Sequence, residues 1–523
     1  MRTVEGEGTD SSSQVAQWFA GRSVLVTGAT GFLGKAIVEK LLRSCPDVGT
    51  LYLLVRPKRG QDPHARLEAY TSDVVFSKLR EERPDFARQL SVVAGDLSAP
   101  DFRLAEQDMA ALRRDVSVVF HNAASVRFDE TLRQAVTTNV VGTKHMLQLA
   151  EQLPNLQVFM YVSTSFCHSD QPVLEERLYP AKADPEKIMD IVSWMDDDLL
   201  EALTPKLLGN LPNTYVLSKN LAEKLVADYA SRLPIIISRP SIVIPTYKEP
   251  MPGWVDNTNG PVGVLLAAGK GLLRCAYGDP DANGDLIPVD CTANAIVALV
   301  WHFAQTKPQS PYVCNVASGE RHRVTWGQVL QEYRNTLKEV PVEPGVWYPA
   351  GYFTKSVVMH KLVHIFLELL PAYLLDFLIM LSGRRPFLVH IQKRLQTGQL
   401  MLNYYMFHEW LFINKELFSL LEYMSPQDQE TFYFDTSEID RVDYMRNTVI
   451  GAKTYLLHED MADISGTRKR LNRMYWLHCT AKAVFYAFPL WLLYSWSGPL
   501  LRAAAAVFGG PGFRSLSTGA TSL

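Results

Sequence analysis

Tyr215 and Lys219 are the first pair of residues in this sequence whose types and spacing could do chemistry together. Residues four apart on a helix share one face, so the phenol and the ammonium would lie side by side. A neighbouring ammonium favours the phenolate and lowers the pKa of a tyrosine, which would make Tyr215 a usable acid near neutral pH. Because this spacing also arises by chance on protein surfaces, it needs support from the rest of the chain.

Three consecutive hydroxyl residues, Ser163, Thr164 and Ser165, provide part of that support. They follow the apolar run 158–162, which is typical of a buried strand. A hydroxyl at this place could hold a substrate carbonyl oxygen. Side chains alternate along a strand, so Thr164 faces opposite to the two serines, and the spacing alone does not decide which hydroxyl is used.

A glycine-rich turn with the spacing G-x-x-G-x-x-G gives the second part of the argument. It lies between an apolar β-branched run, 24–26, and a stretch with apolar residues at helical spacing. Glycines allow a tight turn and let a pyrophosphate approach the helix N-terminus, whose free N–H groups favour an anion. The predicted dinucleotide-binding residues at this turn are Thr27, Gly28, Thr30, Gly31, Phe32, Leu33 and Gly34.

The end of the second predicted strand indicates which dinucleotide binds. An acidic residue there would bond the ribose 2′-hydroxyl of NAD, but this chain has Arg56. A guanidinium suits a 2′-phosphate, so the sequence predicts NADPH rather than NADH. The alternative is that Arg56 is an ordinary solvated charge.

Two further strand ends and Lys219 complete the predicted cofactor site. At the third strand a carboxylate could accept a hydrogen bond from the adenine amino group, and small residues after the fourth would leave room for the cofactor. Lys219 could also hold the nicotinamide ribose. The residues predicted at the two strand ends are Asp96, Leu97, Asn122, Ala123 and Ala124.

Strand-like and helix-like stretches alternate up to about residue 240, which is typical of an α/β, Rossmann-like doubly wound parallel sheet. A loop rich in proline and glycine begins near residue 245, and another break in composition lies at 341–352. The predicted organisation has four parts: a mobile leader 1–20, an NADP-binding catalytic domain 21–345, a helical C-terminal domain 355–465 and a membrane-anchoring segment 475–510.

Composition excludes several classes of protein. The 523 residues include 55 acidic and 52 basic side chains, a balance that argues against a nucleic-acid binder. The six cysteines form no C-x-x-C pair and are predicted to be buried free thiols. The polar first residues lack the apolar core of a secretory signal, so the catalytic domain is expected to face the cytosol, and the last three do not match a peroxisomal address.

The C-terminal region is predicted to contact a membrane. Residues 483–501 carry no charge, which is about the length of a membrane-spanning helix, and the basic residues at 468–473 indicate a cytosolic flank. Proline and glycine in this stretch leave a kinked or re-entrant hairpin open. A second apolar stretch, 362–381, is predicted to be a helical hairpin on the membrane surface. His360 and His364 are spaced like metal ligands, but a polar helix edge is favoured over a metal site.

Together these motifs resemble the extended short-chain dehydrogenases/reductases and, more narrowly, the alcohol-forming fatty acyl-CoA reductases. The similarity covers nearly all of 21–455, including a C-terminal domain of the male-sterility type. It is carried by the stretches TGATGFLGK, YLLVRPK, FHNAASVRFDE and YVSTSF, by residues 252–261 and 268–271, and by His408, Trp410, Phe412, Phe434 and Asp435.

The resemblance implies a catalytic set of Thr164, Tyr215 and Lys219, with NADPH as cofactor and a long-chain fatty acyl-CoA as substrate. It also implies reduction in two rounds, through an aldehyde to a primary alcohol, at an endoplasmic reticulum or peroxisomal membrane. The alternatives are a sterol or nucleotide-sugar reductase, an aldehyde-forming acyl-CoA reductase, and a non-enzymatic membrane lipid-binding protein. Chain-length preference, the residues that bind coenzyme A and the oligomeric state, with a homodimer as one alternative, stay open.

Overall fold

A seven-stranded parallel sheet forms the centre of the protein, whose computed structural model describes residues 13–56 and 63–508. The strand order is β7-β6-β5-β4-β1-β2-β3, with β1 at the point where the order reverses. The predicted doubly wound sheet is confirmed. The strands are β1 Ser23–Thr27, β2 Leu51–Val55, β3 Leu90–Ala94, β4 Val116–His121, β5 Val158–Val162, β6 Ile235–Pro240 and β7 Tyr312–Val316.

Helices cover both faces of this sheet, because parallel strands with apolar side chains on both faces must be buried on both sides. The helices up to residue 340 are Gln14–Phe19, Phe32–Ser44, Pro63–Thr71, Ser77–Glu82, Glu106–Asp115, Leu132–Val136, Gly142–Ala150, Pro185–Trp194, Asp197–Leu208, Thr214–Asp228, Pro261–Gly269, Val289–Thr306 and Trp326–Glu339. Those that follow are Val357–Val363, Leu370–Leu381, Leu388–Phe407, Lys415–Tyr423, Pro426–Thr431, Arg441–Gly451 and Ile464–Phe508.

Short paired strands outside the main sheet join distant parts of the chain. Cys275–Tyr277 pairs in parallel with Tyr352–Thr354, and Val173–Leu174 pairs in parallel with Leu411–Phe412. The remaining short strands are Ile242–Ile244, Asn283–Gly284, Leu286–Pro288 and Val324–Thr325.

The C-terminal region shares its hydrophobic core with the sheet. Phe432 and Phe434 pack in the same buried cluster as β1 residues, and Phe412 packs in the cluster on the opposite face. The helices after residue 355 therefore help to bury the catalytic sheet.

Two predictions about chain segments are wrong in detail. The predicted mobile leader 1–20 is too long, because Gln14–Phe19 is a helix in which Val15 and Phe19 are fully buried; residues 1–12 lie outside the described residues. Residues 357–381 form one continuous apolar helix rather than a hairpin. A π-helical turn, His364–Leu369, directly precedes Pro371 within this helix, so the regular α-helical bonding is interrupted where the proline lacks its N–H.

Residues 475–508 of the predicted membrane segment lie in the single helix Ile464–Phe508, without the re-entrant hairpin left open above. Within the described residues, 357–381 is the one helix long and apolar enough to cross a membrane. Many side chains of 485–508 and all of 509–523 lie outside the described residues, so the anchor predicted there stays a prediction.

Candidate active site

The glycine turn follows β1 and leads into helix Phe32–Ser44. Gly28 has a φ of +68°, and a Cβ there would lie 2.8 Å from the Ala123 backbone. A Cβ on Gly34 would lie 2.1 Å from the Gly28 carbonyl oxygen. Larger residues would close the turn, so the predicted need for glycine has a direct steric cause. The open N-terminus of this helix fits the pyrophosphate of a dinucleotide.

Thr27 holds the neighbouring strand end in place. Its hydroxyl lies 2.9 Å from His121 Nδ1 and accepts a hydrogen bond of 3.1 Å from the Ala123 N–H. Burial lowers the pKa of His121 to about 3, so the imidazole is neutral. The predicted residues Asn122, Ala123 and Ala124 are half-buried beside the glycine turn. The Thr27 side chain, by contrast, is fully buried, and both of these hydroxyl contacts are made within the protein.

Arg56 and Asp96 come together at the ends of β2 and β3. Arg56 Nε lies 3.8 Å from Asp96 Oδ1, and the arginine side chain is 63% exposed. Burial raises the pKa of Asp96, but hydrogen bonds from Ser98 and the nearby arginines outweigh it, so the net shift is downward. Leu97 is buried, and its carbonyl oxygen lies 2.9 Å from His145 Nδ1.

The structure separates the three hydroxyls that spacing could not. Ser163 Oγ donates a 2.8 Å hydrogen bond to Glu223, and Ser165 Oγ donates one of 2.6 Å to the Arg239 carbonyl oxygen. The Thr164 hydroxyl interacts with the phenol of Tyr215. Of the three, Thr164 is therefore the one beside the predicted catalytic tyrosine.

The expected effect of Lys219 on Tyr215 is wrong in this structure. Burial raises the pKa of the Tyr215 phenol, and the hydrogen bond with Thr164 offsets only part of that rise. The Lys219 ammonium instead donates a 2.8 Å hydrogen bond to the Val162 carbonyl oxygen and lies 4.9 Å from the Tyr161 ring centre. Burial lowers the pKa of Lys219 to about 8, although Cys167 and Glu223 favour its charge.

Glu223, one helical turn beyond Lys219, forms a buried ion pair that sequence reasoning missed. It binds the Arg239 guanidinium through both of its oxygens, and Arg239 is fully buried. Burial raises the pKa of Glu223, but Arg239 and His168 lower it far more. Cys167, His168 and Glu223 lie within reach of one metal ion. Because Arg239 already supplies the compensating positive charge, the cluster is explained as an ion pair.

Asn139 is a second missed residue, and it positions the loop after β4. Its side chain accepts a 2.8 Å hydrogen bond from the Ser125 N–H and donates bonds of 3.0 and 2.9 Å to the Ser125 carbonyl oxygen and the Ser218 hydroxyl. Asn139 lies in a π-helical turn, Thr137–Val141. A π turn leaves no clear pattern in a sequence, whereas Glu223 could have been found as the next position of the Y-x-x-x-K face.

An apolar pocket lies next to Tyr215. Its empty space, including the open mouth, is about 960 Å³, within the range of small-molecule sites. Tyr215 and Phe166 lie at its walls with residues from 260–276, 326–330, 351–353 and 402–406. The lining thus combines residues of the loop rich in proline and glycine with residues of the C-terminal region.

The C-terminal region also holds the catalytic helix in place. Asn213 accepts a hydrogen bond from the Val216 N–H at the start of this helix and donates one of 3.1 Å to the Tyr405 hydroxyl. Phe166 packs edge-on against Tyr405 and Phe412, with ring centres 5.3 Å apart in each case. His408 is exposed, and the Trp410 indole donates to the Ser169 carbonyl oxygen.

Other sequence predictions have simple outcomes. All six cysteines are free; five are buried and Cys479 is half-buried. His360 and His364 lie on the buried face of their helix, and His364 pairs with Glu368. Neither histidine belongs to the cluster of possible metal ligands found among the described residues.

Comparison with known families and proteins gives a consistent result. Residues 26–296 match an NAD-binding family profile described as "Male sterility protein", and residues 367–459 match a second profile with that description. The chain is 41% identical over 463 residues to "Fatty acyl-CoA reductase 1" of Gallus gallus, covering 88% of this chain and 89% of that protein. It is 38% identical over 466 residues to "Fatty acyl-CoA reductase 2" of Bos taurus, covering 89% and 90%.

Solved structures share the fold at low sequence identity. The terminal R domain from the myxalamid PKS-NRPS pathway has a TM-score of 0.57 at 20% identity, covering 83% of this chain and 91% of that domain. An archaeal thiolation-reductase di-domain has a TM-score of 0.51 at 17% identity, covering 87% and 82%. The chain thus has the fold of these reductase domains and a dinucleotide-binding sheet suited to a nicotinamide cofactor.

Proposed function

The chain belongs to the fatty acyl-CoA reductase family, and on that premise we propose that it reduces a long-chain fatty acyl-CoA to the primary alcohol with two NADPH. One observation carries the proposal: Tyr215, beside the Thr164 hydroxyl, lines an apolar pocket. Two polar groups next to an apolar pocket suit a carbonyl group on a long hydrocarbon chain.

Residues of this chain supply two functions in the reaction. The Tyr215 phenol, which burial keeps protonated, and the Thr164 hydroxyl donate hydrogen bonds to the carbonyl oxygen and stabilise the negative charge that develops there. Lys219, held by Val162, lies on the same helix face as Tyr215 and would bond the nicotinamide ribose. The glycine turn would hold the pyrophosphate.

The reaction balances as two reductions of one carbon. NADPH, which the glycine turn and Lys219 would hold, would supply one hydride to the carbonyl carbon in each round. After the first, the carbon–sulfur bond breaks, the sulfur leaves as the coenzyme A thiolate and takes a proton, and an aldehyde remains. In the second, the aldehyde oxygen takes a proton from Tyr215 as its carbon is reduced, the primary alcohol results, and the phenolate regains a proton from solvent.

The choice of NADPH rests on Arg56. This side chain is mostly exposed at the end of β2 and is only loosely paired with Asp96, so it is available for a 2′-phosphate. No acidic residue occupies its place to bond a 2′-hydroxyl.

The apolar helix 357–381 and the basic cluster Arg468–Arg473 support a membrane-bound enzyme whose catalytic domain faces the cytosol. The endoplasmic reticulum and the peroxisomal membrane are the two compartments proposed. Membrane lipid would then be a constant neighbour of the protein.

Purified, detergent-solubilised protein supplied with NADPH and acyl-CoAs of graded length tests the proposal. Alcohol, with two NADPH oxidised per acyl-CoA, is expected, and the Tyr215→Phe variant should yield none. Aldehyde as the sole product would favour the aldehyde-forming alternative. Protein that binds NADPH but shows no acyl-dependent oxidation would overturn the proposal and favour a sterol or nucleotide-sugar substrate.

A further inference from the structure

The helix 357–381 has an unusual distribution of side chains: its outer face is apolar. Leu374 is 59% exposed, Phe377 53% and Leu378 58%. A contiguous apolar surface of this kind marks an interaction site, since monomeric soluble proteins rarely expose one. We call it the apolar face, and its exposed side chains are those of Val357, Val358, Met359, Leu362, Ile365, Phe366, Leu367, Leu370, Tyr373, Leu374, Phe377, Leu378, Met380 and Leu381.

The acidic and histidine side chains of the same helix are buried against the protein. Glu368 accepts hydrogen bonds from the backbone N–H groups of Arg274 and Cys275, at 2.6 and 3.3 Å, and lies 2.8 Å from His364 Nδ1. Asp376 accepts three bonds of 2.8–2.9 Å from the backbone N–H groups of residues 387–389, at the start of the next helix. These contacts fix which side of the helix faces outward.

The exposed charged residues on and shortly after the apolar helix are basic. The only acidic residues between 355 and 400 are Glu368 and Asp376, and both are buried. Five basic residues of this stretch are exposed and form no ion pair within the described part of the chain: Lys361, Arg384, Arg385, Lys393 and Arg394. Apolar surface on a segment whose exposed charges are basic complements an anionic membrane surface.

The apolar helix is also joined to the wall of the Tyr215 pocket. Ala276, Tyr352 and Phe353 line the pocket and belong to the paired strands Cys275–Tyr277 and Tyr352–Thr354. The helix begins three residues after the second strand, and its Glu368 holds the backbone at the start of the first. These two short paired strands therefore connect the lining of the pocket to the apolar helix.

We propose that the apolar face lies in the surface of a phospholipid bilayer with anionic headgroups, and that acyl chains pass between that bilayer and the Tyr215 pocket along the two paired strands. The identity of the passing molecule rests on the proposed function; the bilayer contact does not.

The inward polar residues decide how the helix meets the membrane. A helix that crossed a bilayer alone would expose His364, Glu368 and Asp376 to lipid, at a cost that their buried contacts avoid here. The helix therefore lies in the plane of the interface, with protein on one side and lipid on the other. This contact is separate from the anchor predicted at 475–510.

Lipid contact is measured on the full-length chain with an environment-sensitive fluorophore on an introduced cysteine. Cys479→Ser is the background, because the other five cysteines are buried. The label goes on Leu374→Cys, or on Val442→Cys as the matched control, which is 64% exposed on another helix. Vesicles of phosphatidylcholine with about 30% phosphatidylserine carry brominated acyl chains as quencher.

We expect quenching to be several-fold stronger for the label at 374 than for the label at 442. Changing both Arg384 and Arg385 to glutamate should reduce the quenching at 374. Equal quenching at the two sites, in protein that co-floats with vesicles, would overturn the bilayer contact. Cross-linking of 374 to a second copy in place of quenching would overturn it in favour of a protein interface.

Acyl passage is measured as the ratio of turnover for a long-chain acyl-CoA carried in vesicles to turnover for a short, water-soluble one. The double variant Leu374→Glu/Phe377→Glu should lower this ratio about tenfold, since charges in the apolar face oppose lipid contact, while Val442→Glu should leave it unchanged. An unaltered ratio in the double variant would overturn acyl passage. If the unchanged protein reduces neither acyl-CoA, the proposed function fails, and the quenching result still decides the bilayer contact.

Discussion

The catalytic helix Thr214–Asp228 and the apolar helix 357–381 both turn charged side chains toward the protein interior, but for different reasons. In the catalytic helix, Lys219 and Glu223 are buried because the face that carries them packs inside the protein. In the apolar helix, Glu368 and Asp376 are buried although half of the helix is uncovered. The first arrangement isolates a site from water, and the second leaves an outer face free of acidic side chains.

The comparison shows that a buried carboxylate must be interpreted from its partner. Glu223 meets a guanidinium, which makes it part of a charged network behind the catalytic residues. Glu368 and Asp376 meet backbone N–H groups, which makes them connectors between segments. A sequence shows both as acidic residues in mostly apolar helices.

Removing the Tyr215 hydroxyl should have the largest effect in either region. Tyr215→Phe is expected to lower acyl-dependent NADPH oxidation by about 10³-fold, because the carbonyl oxygen loses its acid and hydrogen-bond donor. Steady-state kinetics with a long-chain acyl-CoA measure this, and NADPH binding by fluorescence is the control. Turnover within a few-fold of the unchanged enzyme would remove Tyr215 from the reaction.

Breaking the buried ion pair should be the most destabilising change in the catalytic region. Arg239→Ala leaves Glu223 buried without its main partner and should lower the free energy of unfolding by about 3–5 kcal/mol. Denaturant titration followed by circular dichroism measures the loss. Arg177→Ala, which breaks an exposed pair with Glu175, is the control and should cost about 1 kcal/mol or less.

Two phenylalanines allow the regions to be compared with one substitution. Phe412 is 1% exposed, and Phe412→Ala should lower the free energy of unfolding by about 3–5 kcal/mol because it leaves a cavity. Phe377 is 53% exposed, and Phe377→Ala should change it by about 0.5 kcal/mol or less. If the two variants lose a similar free energy of unfolding in detergent, Phe377 is buried against protein, contrary to the proposed bilayer contact.

Arg56, an exposed charged residue proposed to bind a ligand, should behave differently from the buried charged residues of both helices. Arg56→Asp should lower the preference for NADPH over NADH by about 10–100-fold, because the 2′-phosphate loses a charge-assisted hydrogen bond and meets a carboxylate. The ratio of kcat/KM for the two cofactors measures it. Arg114→Asp, at another exposed site, is the control. An unchanged ratio would make Arg56 an ordinary solvated charge.

The pH dependence of turnover should report the burial of Lys219. Its pKa of about 8 means that the ammonium is present below pH 8 and is lost as the pH rises through that value. If the charge is needed to hold the cofactor, kcat/KM for NADPH should fall about tenfold for each pH unit above 8. Lys219→Arg should move this fall upward, since a guanidinium stays charged; a flat profile to pH 10 would contradict the role.

Much of the fold could be predicted because strand and helix periodicities are local properties. The strands predicted from the apolar runs 24–26 and 158–162 are present, and the glycine turn lies where its spacing placed it. The helical leader was missed because Trp18 and Phe19 are buried only through contacts with distant residues. The continuous helix 357–381 was missed because a proline such as Pro371 ends most helices. The π turn that precedes it has no pattern in the sequence.

In the candidate active site, too, some features follow from local spacing and others from long-range contacts. Spacing put Tyr215 and Lys219 on one helix face, but the tertiary structure turned the ammonium toward Val162 and raised the tyrosine pKa through burial. Spacing also left three hydroxyls equal, and long-range contacts from Glu223 and Arg239 left Thr164 beside the phenol.

By itself the sequence determined the parallel sheet, the dinucleotide turn and the catalytic residue types, since each depends on spacing within a short stretch of chain. Only the tertiary structure decided which hydroxyl meets the tyrosine, which acids are paired and which helix face is left apolar. Those outcomes depend on contacts between residues far apart in sequence, such as Glu368 with the backbone of Cys275, and on the burial that such contacts produce.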